Sequence, residues 1–338
     1  MSDIERCDGC GDAAGRGDRY CPLCGRPTGV REESSLRPAG RIVGIIMLLV
    51  CTVFLFFQMY AVFWAFGDIF GGIGSYYIAI QILTPSPTPL FWVSGAGARL
   101  YYLLIVAGAA ASFVALMYTS RDGIREVMRG KIDNMDNMPL YAVATMFAAV
   151  ISFTIIFNII MMMAGNDPAS PIFKGPYWGL WFSYLNAAVW EEVLCRILMV
   201  GVPMVLLGLA ANEKGSWKRL FGGFGLSRAA VLFIVLSSAI FSYAHLQEWD
   251  VFKLIPTFVA GLALGFLFVR FGIHAAIMLH FLINYNSAFI WILGDGAETP
   301  LAMIILMIVL FGIVFIVRYT IHGIRYLSNI RSEPQKPL

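Results

Sequence analysis

From residue 41 onward the chain is a succession of apolar stretches separated by short polar loops, and eight of them come close to the ~20 residues that cross a bilayer as a helix. They lie at about 41–67, 99–118, 139–164, 179–210, 229–246, 252–271, 273–293 and 301–321. Residues 71–97 break the series. Pro85, Pro87 and Pro89 interrupt them too often for a spanning helix, and residues 76–83 are expected to dip into the membrane interface. In the sixth segment Gly261 and Gly265 stand four apart, a spacing that lets two helix backbones approach closely. The expected fold is an all-α polytopic membrane domain over residues 41–325, with about eight transmembrane helices, followed by a tail at 326–338.

Composition agrees with this pattern. Hydrophobic residues make up 59% of the chain and charged residues 13%, against about 25% charged in soluble domains. The lipid bilayer is the expected solvent, and a net charge of +3 spread over the loops gives no reason to expect nucleic acid. Arginine and lysine bear on topology instead. Arg31, Arg37 and Arg41, then Arg121, Arg125, Arg129 and Lys131, then Lys214, Lys218, Arg219 and Arg228, and finally Arg318, Arg325 and Arg331, all fall on one side of the eight-segment scheme. The intervening loops are neutral or acidic, so the positive-inside rule places both termini in the cytosol.

The first 28 residues are a separate polar module, joined by a linker at 29–40, and contain no apolar core of the kind a secretory signal needs. Cys7-Asp-Gly-Cys10-Gly11 and Cys21-Pro-Leu-Cys24-Gly25 repeat one pattern, in which the glycine permits the left-handed turn that aims backbone N–H groups at thiolate sulfur. The two knuckles predict a zinc ribbon, with Cys7, Cys10, Cys21 and Cys24 as ligands of one structural zinc. Two disulfides in an exported head are the competing reading, but metal-binding thiols suit the reducing cytosol that the loop charges indicate. Four thiolates close the coordination shell, so the ribbon is expected to dock a protein partner and to do no chemistry. Cys51 and Cys195 sit in apolar segments and read as small hydrophobes.

Ionisable groups inside the apolar stretches carry more information, because each costs free energy at that depth. The fourth segment holds Glu191, Glu192 and Arg196. Glu192 and Arg196 are four apart, glutamate first, which is the favourable order for an ion pair on one α-helical face. Glu191 points about 100° away from that face and needs a partner from elsewhere. Phe241 and His245 end the fifth segment at four-residue spacing, and His280 and Asn284 repeat that spacing in the seventh. Any one of these clusters is as readily explained by helix packing. Three together, on three apolar helices, predict one buried polar site, flanked by Trp190 and Tyr243.

The motifs Glu191-Glu192-xxx-Arg196, Phe241-xxx-His245 and His280-xxx-Asn284, in that order, resemble the signature of the CAAX-protease and bacteriocin-processing (CPBP, or ABI) intramembrane proteases, which include the prenyl-protein endopeptidases. The resemblance covers residues 177–286 and does not extend to the cysteine head. It implies an intramembrane endopeptidase of a prokaryotic cell membrane, acting on a membrane-bound, lipidated peptide or protein. Chemistry gives the matching residues their roles. A partly dehydrated Glu191 takes a proton from water with the help of His245, His280 and Asn284 donate to the oxyanion, and Glu192, Arg196 and Phe241 support them. A zinc-dependent variant, with Glu191, His245 and His280 as ligands, remains an alternative, although the chain has no HExxH and asparagine is a poor zinc ligand. The other competing readings are a non-catalytic scaffold that docks partners through the ribbon and a proton-relaying transporter, the latter without the internal repeat such folds display.

Overall fold

The computed structural model describes residues 38–83, 86–131, 135–166, 175–247, 251–287, 296 and 298–332. The four head cysteines, and the zinc-ribbon reading with them, lie outside these residues. Helix α1 (Pro38–Trp64) and short helix α2 (Phe66–Ile73) lead into an antiparallel hairpin of β1 (Ile78–Leu83) and β2 (Pro87–Val93). Helices α3 (Gly95–Met128) and α4 (Pro139–Met163) follow, and then α5 over Tyr177–Ala210. The described helices end with α6 (Arg228–Ala244), α7 (Leu254–Phe271), α8 (Ile273–Asn284) and α9 (Glu298–Ser332).

Among the described residues six helices are long and apolar enough to cross a membrane; α6 and α8, on the fifth and seventh expected segments, are apolar but shorter. Burial accounts for α8, where every residue from Ala275 to Leu282 is buried. Its surroundings are protein, since α3, α4, α5 and α7 pack around it. A helix enclosed in this way is apolar for the reason any core helix is, and composition does not distinguish it from a span. Helix α4 is the other central element: its first ten residues, Pro139 to Ala148, are all buried, and it packs against α1, α7, α8 and α9.

The outer helices show the reverse pattern. Leu49, Val53, Phe56 and Phe63 on α1, Leu100 and Leu104 on α3, and Met303, Leu306 and Leu310 on α9 are large, apolar and exposed. A belt of this kind is what lipid contact requires, and the chain is an integral membrane protein. Of residues 76–83, expected at the interface, Ile78–Leu83 form β1. A bulge between Ile80 and Gln81 shifts the pairing by one residue.

The Gly261 and Gly265 pair acts as the spacing predicts. A Cβ at Gly261 would lie 2.9 Å from that of Ser238, and one at Gly265 would lie 2.7 Å from Ile234 Cγ2, both on α6. Gly265→Leu is therefore expected to destabilise the α6–α7 contact by about 1–3 kcal/mol through overpacking. A thermal melt in detergent reads this, and a melting temperature equal to that of the parent would show that the two helices part without cost.

Candidate active site

The site forms where α5, α6 and α8 meet. Helix α5 is not uniformly α: it is α-helical at Tyr177–Asn186, widens into π-helical turns at Ala187–Glu191 and Val193–Gly201, and returns to α at Val202–Ala210. A π turn closes its hydrogen bonds to i+5, so each residue advances by less than the 100° of an α-helix. The widened turns bracket Glu192, and the carboxylates of Glu191 and Glu192 both come within ion-pair distance of one histidine, His280. An α-helical reading places them about 100° apart and sends Glu191 to another partner.

Glu192 is fully buried and uses both oxygens. Its Oε2 accepts from Arg196 Nε at 3.0 Å, and its Oε1 accepts from His280 Nδ1 at 2.9 Å. Arg196, also fully buried, donates through Nη1 to Ser237 Oγ at 3.1 Å, and its guanidinium lies over the Phe241 ring at 5.7 Å. Ser237 donates in turn to the Cys195 carbonyl at 2.7 Å. Three groups of different chemistry thus offset one buried cation, although its Nη2 is buried without a hydrogen bond.

Glu191 is placed differently. Its side chain keeps 29% of its exposure, its Oε2 lies 3.8 Å from His280 Nε2, and that oxygen is buried without a hydrogen bond. A separation of 3.8 Å is an ion-pair distance and too long for a hydrogen bond. His245 makes no ion pair with Glu191 among the described residues. Its Nδ1 lies 2.8 Å from the Phe241 carbonyl. A carbonyl can only accept, so Nδ1 carries the proton and a neutral His245 has its lone pair at Nε2. Phe241 stands between the two histidines, edge-on to His245 at 4.7 Å and to His280 at 5.9 Å.

His280 and Asn284, expected to aim donors at one spot, are engaged with different partners. Asn284 Nδ2 points to the Tyr184 carbonyl at 3.5 Å, at the outer limit for a hydrogen bond, and the adjacent Tyr285 hydroxyl donates to the Trp181 carbonyl at 3.0 Å. Among the described residues no three histidine, cysteine, aspartate or glutamate side chains are grouped so as to hold one metal ion.

Other partners of the site lie outside the motif positions. Ser237 precedes Phe241 and His245 at four-residue steps on the same helical face, which is the signal that could have singled it out. Trp190 donates its indole N–H to the Gln81 carbonyl at 2.9 Å, which ties the hairpin to the residue before Glu191. Tyr101 donates to Asn186 Oδ1 at 2.5 Å and packs edge-on to Trp190. Tyr243 is half exposed on the outer side of α6.

A family model described as type II CAAX prenyl endopeptidase Rce1-like matches residues 173–286, about a third of the chain, and the matched part contains all three motifs. No curated protein and no solved structure gives a significant match. On the family match the chain is an enzyme, an intramembrane protease of the CAAX-endopeptidase type.

Proposed function

We propose that this protease hydrolyses a peptide bond of a lipidated, membrane-bound protein by means of a water activated by glutamate and histidine, with no metal at the active site. The observation that carries the reading is the unequal use of the two carboxylates: both Glu192 oxygens are engaged, whereas Glu191 Oε2 makes no hydrogen bond. Glu191 is therefore the group with a lone pair to offer. It takes a proton from the attacking water, the oxygen of that water bonds to the scissile carbonyl carbon, and the proton passes on to the departing nitrogen as the C–N bond breaks. His245 orients the water through the lone pair on Nε2.

The oxyanion falls to His280 and Asn284. A protonated His280, held at Nδ1 by Glu192, donates from Nε2, and the weakly held Asn284 amide turns to provide a second donor. Arg196, Ser237 and Phe241 keep Glu192 in place beneath His280. A prenylated C-terminal segment is the substrate class that fits the family description, and an orientation with both termini in the cytosol fits the distribution of basic loops; the membrane in this reading is that of a prokaryotic cell. In the same reading the four head cysteines hold a structural zinc and dock a partner.

The test is cleavage of a fluorogenic farnesylated CAAX peptide in liposomes, with and without strong chelation. Deleting residues 1–30 beforehand keeps the chelator from acting through the cysteine head. The expected outcome is a rate that survives chelation, because donors and charge do the work a zinc ion would otherwise do. Loss of activity with 1,10-phenanthroline, restored by added zinc, would replace this mechanism with a zinc-dependent one.

A further inference from the structure

Strand β1 has an edge that no third strand occupies among the described residues, and it meets Trp190, the neighbour of Glu191; its direction can be read from the hairpin itself. Gln81 pairs with Pro89 and Leu83 with Pro87. Proline has no N–H and cannot complete a doubly bonded pair, so these are read as the non-hydrogen-bonded pairs of the ladder, with the backbone groups of Gln81 and Leu83 turned away from β2. The same alternation turns Ala79 outward and leaves Ile78, Ile80 and Ile82 to bond β2. An independent contact agrees: the Gln81 carbonyl accepts from Trp190, which lies on α5 and not on β2.

The two edges of the hairpin are not equivalent. The outer edge of β2 carries Pro87 and Pro89 where donors would be, which blunts it against a further strand. The outer edge of β1 keeps an N–H at Ala79, Gln81 and Leu83. Among the described residues no backbone hydrogen bond outside the hairpin uses these groups, and the sheet has no third strand. This edge lies against Trp190, the immediate neighbour of Glu191.

We propose that β1 is the docking strand for the substrate: an extended stretch of the peptide next to the scissile bond adds to its outer edge, bonds to Ala79, Gln81 and Leu83, and is thereby presented to Glu191. The inference rests on the proteolytic reading of the site. An endopeptidase needs its substrate unfolded around the bond it cuts, and a strand edge holds an extended chain through main-chain bonds that are indifferent to side-chain identity. In a membrane it also satisfies peptide groups that lipid would leave without partners.

The experiment uses the full chain and the farnesylated CAAX peptide in liposomes. In one arm the backbone N–H groups of the peptide are methylated one at a time. Strand addition engages every second residue, so KM should rise about three- to tenfold at alternate positions and change little between them. In the other arm Ala79→Pro and Gln81→Pro each remove an outward donor while leaving the β1–β2 bonds intact, and each should raise KM by a similar factor with kcat and the melting temperature held. Cleavage with no alternation along the peptide and no KM change in the proline variants would overturn docking and leave the protease reading standing. Failure of the wild-type enzyme to cut the probe would overturn the prenylated-substrate reading and, with it, the docking of that substrate on β1.

Discussion

Glu191→Gln is expected to reduce cleavage by about a hundred- to ten-thousandfold, the range that a general base contributes, while leaving the melting temperature close to that of the parent. The second half of the expectation comes from the structure. The free Glu191 oxygen forms no hydrogen bond, and the 3.8 Å approach to His280 is the one ion pair of Glu191 among the described residues. An amide of the same shape therefore removes basicity and little packing. Rates on the farnesylated probe beside melts in detergent give both readouts. The neighbouring Glu192→Gln variant is the control: it also leaves Arg196 without its buried counter-ion and should melt earlier. Equal loss of activity in the two variants, with both melting like the parent, would mean that the carboxylates do not divide the work as argued.

The parts of the site legible in the sequence are those that local spacing determines. Glu192 and Arg196, Phe241 and His245, and His280 and Asn284 are all four apart, and a charged or polar pair at that spacing in an apolar run stands out without any structure. What spacing cannot give is the partner across helices. His245, nearest in role on paper, holds its own helix carbonyl, and His280 is the residue that meets both glutamates. The reason is the π widening of α5, which no propensity scale separates from α in an apolar segment.

Fold legibility divides in the same way. Membrane character and the positions of the six spans follow from hydropathy, but hydropathy measures apolar surroundings and does not say whether those are lipid or protein. In α8 those surroundings are protein. The hairpin escaped for the opposite reason. Pro85, Pro87 and Pro89 argue against a regular element, yet at edge positions facing away from the partner strand two of them cost the sheet nothing.

Arg196→Met should be the most destabilising change in the site, by about 3–5 kcal/mol, because it leaves Glu192 buried with His280 as its remaining partner. The guanidinium is fully enclosed, so no solvent can take over the lost contacts. Combining it with Glu192→Gln removes the stranded charge as well, and the double variant should melt above either single one, since residues that share one ion pair do not contribute additively. Activity should not follow. The double variant no longer has a carboxylate beneath His280 Nδ1 to fix the ring, and turnover should remain as low as in Glu192→Gln. Melts and initial rates on the three variants separate the two effects. A double variant as unstable as the sum of its parts would show that Glu192 and Arg196 act independently; one that regained activity along with stability would show that the hold of Glu192 on His280 is not used in catalysis.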